Sequence, residues 1–333
     1  MHKTLRRIIA IGGLLALPLA VYGQSGPPAG YYTAAETLTG SELRAALHDL
    51  VNDHHIIPYS SSSRIDVHDA LDILDEDPTD TNNVILIYSL RSEAKTNWPA
   101  WNREHTWPNS LGADYQEPAY SDLHAIRACD ASVNSSRGNK YYDWSDTNST
   151  SYKFPAYAET PLCSTDNNSW EPPDAIKGDL ARSQFYMDIR YEGDSDEPDL
   201  MLTDHIELIS SATNLMGRLT PLILWHLQDP VDDAERLRND SIYNLFQTNR
   251  NPFVDHPEWV LDIFVPPVFI QPVGSALRIR WPATGLNLNL IASPSLHDPW
   301  TTVTNTPVED TEGWFIDLPT DTSNRVFRLQ TGN

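Results

Sequence analysis

At Val265-Pro266-Pro267 the character of the chain changes, and this break limits what its 333 residues can fold into. Two consecutive prolines cannot continue a helix, because each lacks an N–H and fixes φ. Upstream, apolar residues recur at helical spacing. Leu43, Ala46, Leu47 and Leu50 predict an amphipathic helix over 42–50, and Leu180, Phe185, Met187, Ile189 and Tyr191 a buried helix over 179–191. A further helix is expected over 199–211, and the apolar run of Leu222, Ile223, Leu224, Trp225 and Leu227 continues over 220–228. Leu237, Ile242, Leu245 and Phe246 would face inward from a helix over 232–247. The run Val84 to Tyr88 reads as a short buried strand. Downstream of the break the period changes to two. Leu277, Ile279 and Trp281 alternate with polar residues, as do Leu286, Leu288 and Leu290, with further short runs over 314–318 and 326–329 and a turn at Asp298-Pro299-Trp300. The expected fold class is therefore α+β: a mainly helical unit over 24–262 and a small all-β sandwich module over 263–333.

The first 23 residues carry Lys3, Arg6 and Arg7, then the apolar run Ile8 to Ala20, then Gly23, which is the pattern of a secretory signal peptide. That run is shorter than the roughly 20 residues a membrane-spanning helix needs. A secreted or periplasmic protein without a membrane span is expected. Loss of the leader lowers the net charge from −23 to −26. A polyanionic ligand is normally drawn by a basic surface, so such an acidic chain would need metal ions and local cations to approach one. Two cysteines remain, Cys129 and Cys163. An oxidising compartment would permit a bridge, whereas buried free thiols are equally compatible with the sequence.

Between 97 and 139 no long periodic element forms, and aromatic, polar and turn residues alternate, as suits short strands and loops that carry a site. Here lie Trp101-Asn102-Arg103-Glu104-His105-Thr106-Trp107-Pro108-Asn109-Ser110, then Ser121-Asp122-Leu123-His124, then Val133-Asn134-Ser135-Ser136-Arg137-Gly138-Asn139. A neutral imidazole takes a proton from water near pH 7. A carboxylate and an amide oxygen are hard ligands of the kind Mg2+ accepts. An arginine adds charge where a phosphate gains it. Each piece alone is weak: a Glu-His dipeptide is usually exposed, Trp101 and Trp107 suit a core, and Asn134 and Asn139 suit turns. Order and spacing together carry the weight.

That order resembles the endonuclease I family of bacterial nucleases, with its Arg-Glu-His, Asp-Leu-His and Val-Asn-x-x-Arg-x-Asn segments. Ala181-Arg182-Ser183-Gln184-Phe185-Tyr186-Met187, Trp225-His226-Leu227-Gln228-Asp229-Pro230 and Gln247-Thr248-Asn249-Arg250-Asn251-Pro252-Phe253 extend the similarity. The resemblance implies a ββα-metal (His-Me) finger, with His105 as general base and Glu104 and Asn134 as ligands of one Mg2+, or of Ca2+ or Mn2+ in its place. It implies Arg137 and Arg182 as phosphate contacts, and a monomer hydrolysing DNA, with RNA as a further substrate, to 5′-phosphate ends. No partner of the β-module is implied. His124 is read as a structural or supporting residue, His54 and His55 as structural, and the acidic run Glu192 to Glu197 as a solvated loop. The competing reading is a non-catalytic secreted binding or adhesion protein that keeps the scaffold. Intact Glu104, His105, Asn134 and Arg137 weigh against it. A zinc peptidase is a poor reading, because no His-Glu-x-x-His helix is present.

Overall fold

Helix α1 (Gly40–Val51) turns Leu43, Leu47, His48 and Val51 inward, as the amphipathic spacing requires. The computed structural model describes residues 25–114, 117–265, 268–281, 288–295, 299–311, 313–320 and 325–331. The expected leader, Pro266-Pro267, Leu286 and Asp298 lie outside the described residues. Helix α2 (Val67–Leu74) opens on a capping box. Asp66 accepts from the N–H groups of His68 (2.8 Å) and Asp69 (3.3 Å), while the Asp69 carboxylate accepts the N–H of Asp66 (3.1 Å).

Strands β1 (Glu76–Asp77), β2 (Asp80–Leu86) and β3 (Arg91–Ala94) form an antiparallel sheet in that order. The strand expected through Tyr88 stops at Leu86. Tyr88 and Leu90 have φ of 71° and 54°, a left-handed backbone that ends extended pairing. Strands β4 (Trp101–His105) and β5 (Ile126–Asp130) pair antiparallel and lead into α3 (Ala131–Arg137). A small sheet follows, β6 (Tyr141–Tyr142), β7 (Ser164–Thr165) and β8 (Ser169–Glu171), ordered β6-β8-β7.

Helix α4 (Lys177–Arg190) is the spine of the molecule, with every residue but Asp179 buried. At Gly178 a Cβ would stand 2.0 Å from the Asp229 carbonyl oxygen, so only glycine admits the chain segment that crosses there. The helix expected over 199–211 does not form. Leu200 and Leu202 point inward while Met201 is exposed, a period of two, and the residues make β9 (Met201–Leu202), paired parallel with β10 (Leu215–Met216). The Asp188 carboxylate takes the Leu202 N–H (2.6 Å) that a helix would have needed. Helix α5 (Leu219–Gln228) packs on α4, and α6 (Asp233–Ser241) passes into a π-turn over Ile242–Gln247. The wider turn changes which residues face the core: Ile242 and Phe246 are buried, but Leu237 and Leu245 are about half exposed, and Arg238 and Asn239 fill the inward positions. Short α7 (Pro252–Asp255) and α8 (Trp259–Phe264) close this part.

The remaining strands are β11 (Phe269–Val273), β12 (Ala276–Trp281), β13 (Leu288–Ser293), β14 (Thr301–Thr302), β15 (Val308–Asp310), β16 (Gly313–Pro319) and β17 (Val326–Thr331). They form two antiparallel sheets, β11-β12-β16-β15 and β14-β13-β17. Ile279, Trp281, Ile316, Leu318, Leu288 and Leu290 supply the buried face that the alternation marked, and they join the apolar cluster of α1, α4 and α5. Strand β11 is exposed throughout and offered no alternation to read. The architecture is α+β, with more strand before Phe264 than the helical periodicities suggested.

Candidate active site

Strand β4 lies between two apolar clusters. Trp101, with Ile126 of β5, belongs to the one built on α2 and β2, while Trp107 and Val133 belong to the main core. Glu104 faces Arg127 across the pair and points inward, 2% exposed, whereas Arg103 and His105 occupy half-buried positions. Asp130 caps α3 by accepting the N–H groups of Ser132 (2.9 Å) and Val133 (3.2 Å). Gly138, at φ 58°, ends the helix. Asn134 and Arg137, three residues apart, then share the face toward β4.

One oxygen of Glu104 accepts from the Tyr88 hydroxyl (2.7 Å) and from Arg137 Nη1 (3.1 Å). Burial raises its pKa above the ordinary carboxylate value, and Arg137 and Tyr88 only partly oppose that. Arg137 also donates to the carbonyls of His105 and Thr106, each at 2.9 Å, and lies over the Tyr142 ring. Tyr142 in turn meets the Tyr88 hydroxyl at 2.6 Å. The Asn134 amide nitrogen donates to Asn102 Oδ1 (2.8 Å) and the Arg103 carbonyl (3.1 Å). Both amide hydrogens are thereby used, and the oxygen is the end left to accept or ligate.

His105 Nε2 lies 2.9 Å from the Tyr120 carbonyl. A carbonyl only accepts, so Nε2 carries the proton and Nδ1 holds the lone pair. The ring is stacked near Tyr120 (4.8 Å, 21°) and Tyr59 (5.5 Å, 20°). Burial, helped by Arg103 and Arg137 against the Tyr120 bond, lowers its pKa to about 4, so it is neutral at pH 7. Behind Tyr120 the fully buried Asp122 ties the turn to the core, accepting from Tyr186 and Tyr191 (2.8 Å each), the His124 N–H (2.9 Å) and Gln247 (3.1 Å). Burial would raise its pKa, but His54, His124 and these donors outweigh it and hold it at about 2.

Glu104, His105, Asn134 and Arg137 line one cleft of about 190 Å3 together with Arg103 and Asn109. Arg182, expected as a phosphate contact, does not line this cleft. It is 0% exposed and held in a two-pronged pair with Glu235 (2.7 Å twice), with Asp229 and His226 taking Nη1. His54 accepts from Arg190 Nε (3.1 Å), a structural use. The acidic run is tied to the body at three points, since Glu192 meets Arg44, Asp194 meets His48 and Glu197 meets Arg190. Cys129 and Cys163 are both free and buried. Tyr59, Tyr88, Tyr120, Tyr142 and Asn102 were not legible as site residues, because their contacts cross sequence gaps that no local spacing reveals. One His-carboxylate cluster also stands out among the described residues: ligand atoms of Asp66, His68 and Asp69 lie within 4.8 Å of one another.

A carboxylate and a proton-accepting imidazole side by side on one strand, backed by an amide and an arginine, make a donor set suited to phosphodiester hydrolysis, and comparison with known proteins places the chain in that class. The family model for Endonuclease I matches residues 39–258, and the chain belongs to the endonuclease I family. An extracellular ribonuclease of Bacillus subtilis (strain 168) is 42% identical over 256 residues, covering 75% of this chain and 82% of that protein. One of Bacillus amyloliquefaciens is 41% identical over 251 residues, covering 74% and 81%. The chain is thus a nuclease, a phosphodiester hydrolase. Among the described residues no helix is long and apolar enough to cross a membrane.

Proposed function

We propose that the protein is a secreted, metal-dependent endonuclease that cuts RNA and DNA without sequence preference and leaves 5′-phosphate ends. The names of the two Bacillus relatives support export and an RNA substrate. The observation that carries the reading is the His105 ring, whose tautomer is fixed by the Tyr120 carbonyl so that Nδ1 is a free base beside Glu104 and Asn134. We assign the work to a nuclease unit over 24–262, preceded by a leader over 1–23 and followed by a β-sandwich module over 263–333 with no assigned role.

His105 Nδ1 takes a proton from a water molecule as its oxygen bonds to phosphorus opposite the 3′ oxygen. The P–O3′ bond breaks with its electron pair on O3′, which takes a proton from solvent, and the imidazolium returns its proton to solvent. The Tyr120 carbonyl on Nε2 stabilises the transient positive ring. Positioned proton transfer of this kind contributes roughly 100- to 10,000-fold. Arg137, through the His105 and Thr106 carbonyls and Glu104, holds the strand and the carboxylate in place.

The residues present fit a divalent cation. Glu104 is a buried carboxylate whose charged form Arg137 and Tyr88 only partly rescue from the cost of burial, so a cation beside it would favour that form, and Asn134 keeps its oxygen free. Two hard oxygen donors suit Mg2+, with Ca2+ or Mn2+ as alternatives. When bound, such an ion polarises a phosphoryl oxygen and neutralises charge on the departing one.

The chemistry of the product ends tests this reading. Because water rather than the ribose 2′-hydroxyl attacks, RNA and DNA of the same sequence should yield 5′-phosphate and 3′-hydroxyl fragments. RNA products ending in 2′,3′-cyclic phosphate, with DNA uncut, would overturn it.

A further inference from the structure

Beside the cleft lies a larger hollow of about 520 Å3 that the proposed mechanism does not use. The two share Arg103. Its backbone carbonyl holds Asn134 on the catalytic side, whereas its guanidinium turns into the hollow, 3.7 Å from the Tyr59 ring centre and 5.4 Å from that of Trp98. Trp98 is 38% exposed, an unusual state for so large an aromatic ring. It is fixed by edge contacts with His68 (4.3 Å, 70°) and Trp101 (5.2 Å, 85°).

A divalent cation at Asp66, His68 and Asp69 is a poor account of this hollow. The Asp66 carboxylate already accepts three backbone N–H groups, those of Ser61, His68 and Asp69, and Asp69 accepts that of Asp66. An ion there would compete with the cap of α2. An exposed aromatic ring and a guanidinium plane around one opening are instead what an unpaired nucleobase requires: a face to stack on and a cation beside it. A base inside a duplex presents no face.

We propose that this hollow is a base-binding subsite, which takes an unpaired nucleobase next to the scissile phosphate of a single-stranded RNA or DNA, stacked at Trp98 beside the Arg103 guanidinium. The proposal rests on the nuclease reading above, and its consequence is a preference for single strands over duplex. Arg103 joins the subsite to the cleft, so a strand passing from one to the other crosses a single residue.

The test is a binding titration of the full mature chain with a fluorescein-labelled single-stranded oligonucleotide and its duplex, in EDTA so that nothing is cut. Trp98→Ala should raise the single-strand Kd about 5- to 150-fold, the range corresponding to the loss of one base–aromatic stack, and Trp98→Phe should stay within about threefold of wild type. Duplex affinity should change little in either variant. If Trp98→Ala does not fold, Trp98→Leu keeps the packing on Trp101 and removes the aromatic face, and the same rise is expected. Single-strand affinity unchanged in Trp98→Ala or Trp98→Leu, or a parallel loss for duplex, overturns the subsite. A wild type that binds as described but cuts nothing with Mg2+ overturns the nuclease reading alone.

Discussion

Replacing Arg182 by methionine separates a structural role from a substrate contact. The guanidinium is sealed from solvent, gives Nε and Nη2 to the two oxygens of Glu235 at 2.7 Å each, and gives Nη1 to the Asp229 carbonyl at 2.9 Å. Removing it leaves Glu235, itself 7% exposed, without its partner and next to Asp179. Breaking one side of a buried ion pair costs about 3–5 kcal/mol, a large part of the roughly 5–15 kcal/mol that holds a domain folded. In Arg182→Met/Glu235→Leu both charges are gone, and at least half of the single variant's loss should return. Urea unfolding followed by tryptophan fluorescence reads both. The loss should also depend on pH. Burial, together with the charge of Asp179, raises Glu235 to about 7, and loss of Arg182 raises it further, so protonation relieves the stranded charge. Arg182→Met should therefore be less damaging at pH 5.5 than at pH 8. Unchanged stability with lost cleavage would refute this account and return Arg182 to the substrate.

Three other outcomes are expected. Gly178→Ala should destabilise the protein by about 1–3 kcal/mol in urea unfolding, since overpacking against the Asp229 carbonyl exceeds the helix propensity gained; equal or greater stability would contradict the close approach. Burial lowers His124 to about 3 and His226 to about 4, so between those values and 6.5 the unfolded chain binds more protons. Their contribution is complete above pH 6.5 and is lost as pH falls toward 4, so His124→Gln/His226→Gln should lose less unfolding free energy than wild type between pH 6.5 and 4; an equal loss in the two proteins would contradict this. The unit over 24–262 holds 40 acidic against 16 basic residues, so raising salt from about 0.01 to 0.1 M, which shortens the screening length from about 30 to 10 Å, should speed cleavage of a polyanion; a steady fall with salt would show that local cations dominate.

Much of the site was legible because it is local. Asn134 and Arg137 lie one turn apart on one helix, so spacing alone puts them on one face, and Glu104 and His105 are marked as neighbours on one strand although their side chains leave it in different directions. The helix over 42–50 was legible because its buried residues recur at its own period, and that over 179–191 because it is rich in large apolar residues, although all of α4 but Asp179 is buried. What escaped depends on contacts distant in sequence. Tyr88 reaches Glu104 from a left-handed turn, and the Tyr120 carbonyl fixes the His105 tautomer across a loop. Arg182 has the residue type of a phosphate contact, and only the fold shows that Glu235, 53 residues on, already holds it. The 199–211 segment misled because Leu200 and Leu202 are too few to distinguish a period of two from one of 3.6. Leu237 and Leu245 were turned outward by a π-turn that no residue pattern marks.

We propose that His105 activates water beside a metal held at Glu104 and Asn134. The most direct measurement is cleavage of a single-stranded RNA by wild type and His105→Ala, each with Mg2+ and with EDTA. The account predicts cleavage by wild type with Mg2+, little with EDTA, and a rate for His105→Ala lower by roughly 100- to 10,000-fold while it remains folded. Equal rates for the two proteins with Mg2+, or undiminished cleavage in EDTA, would contradict it.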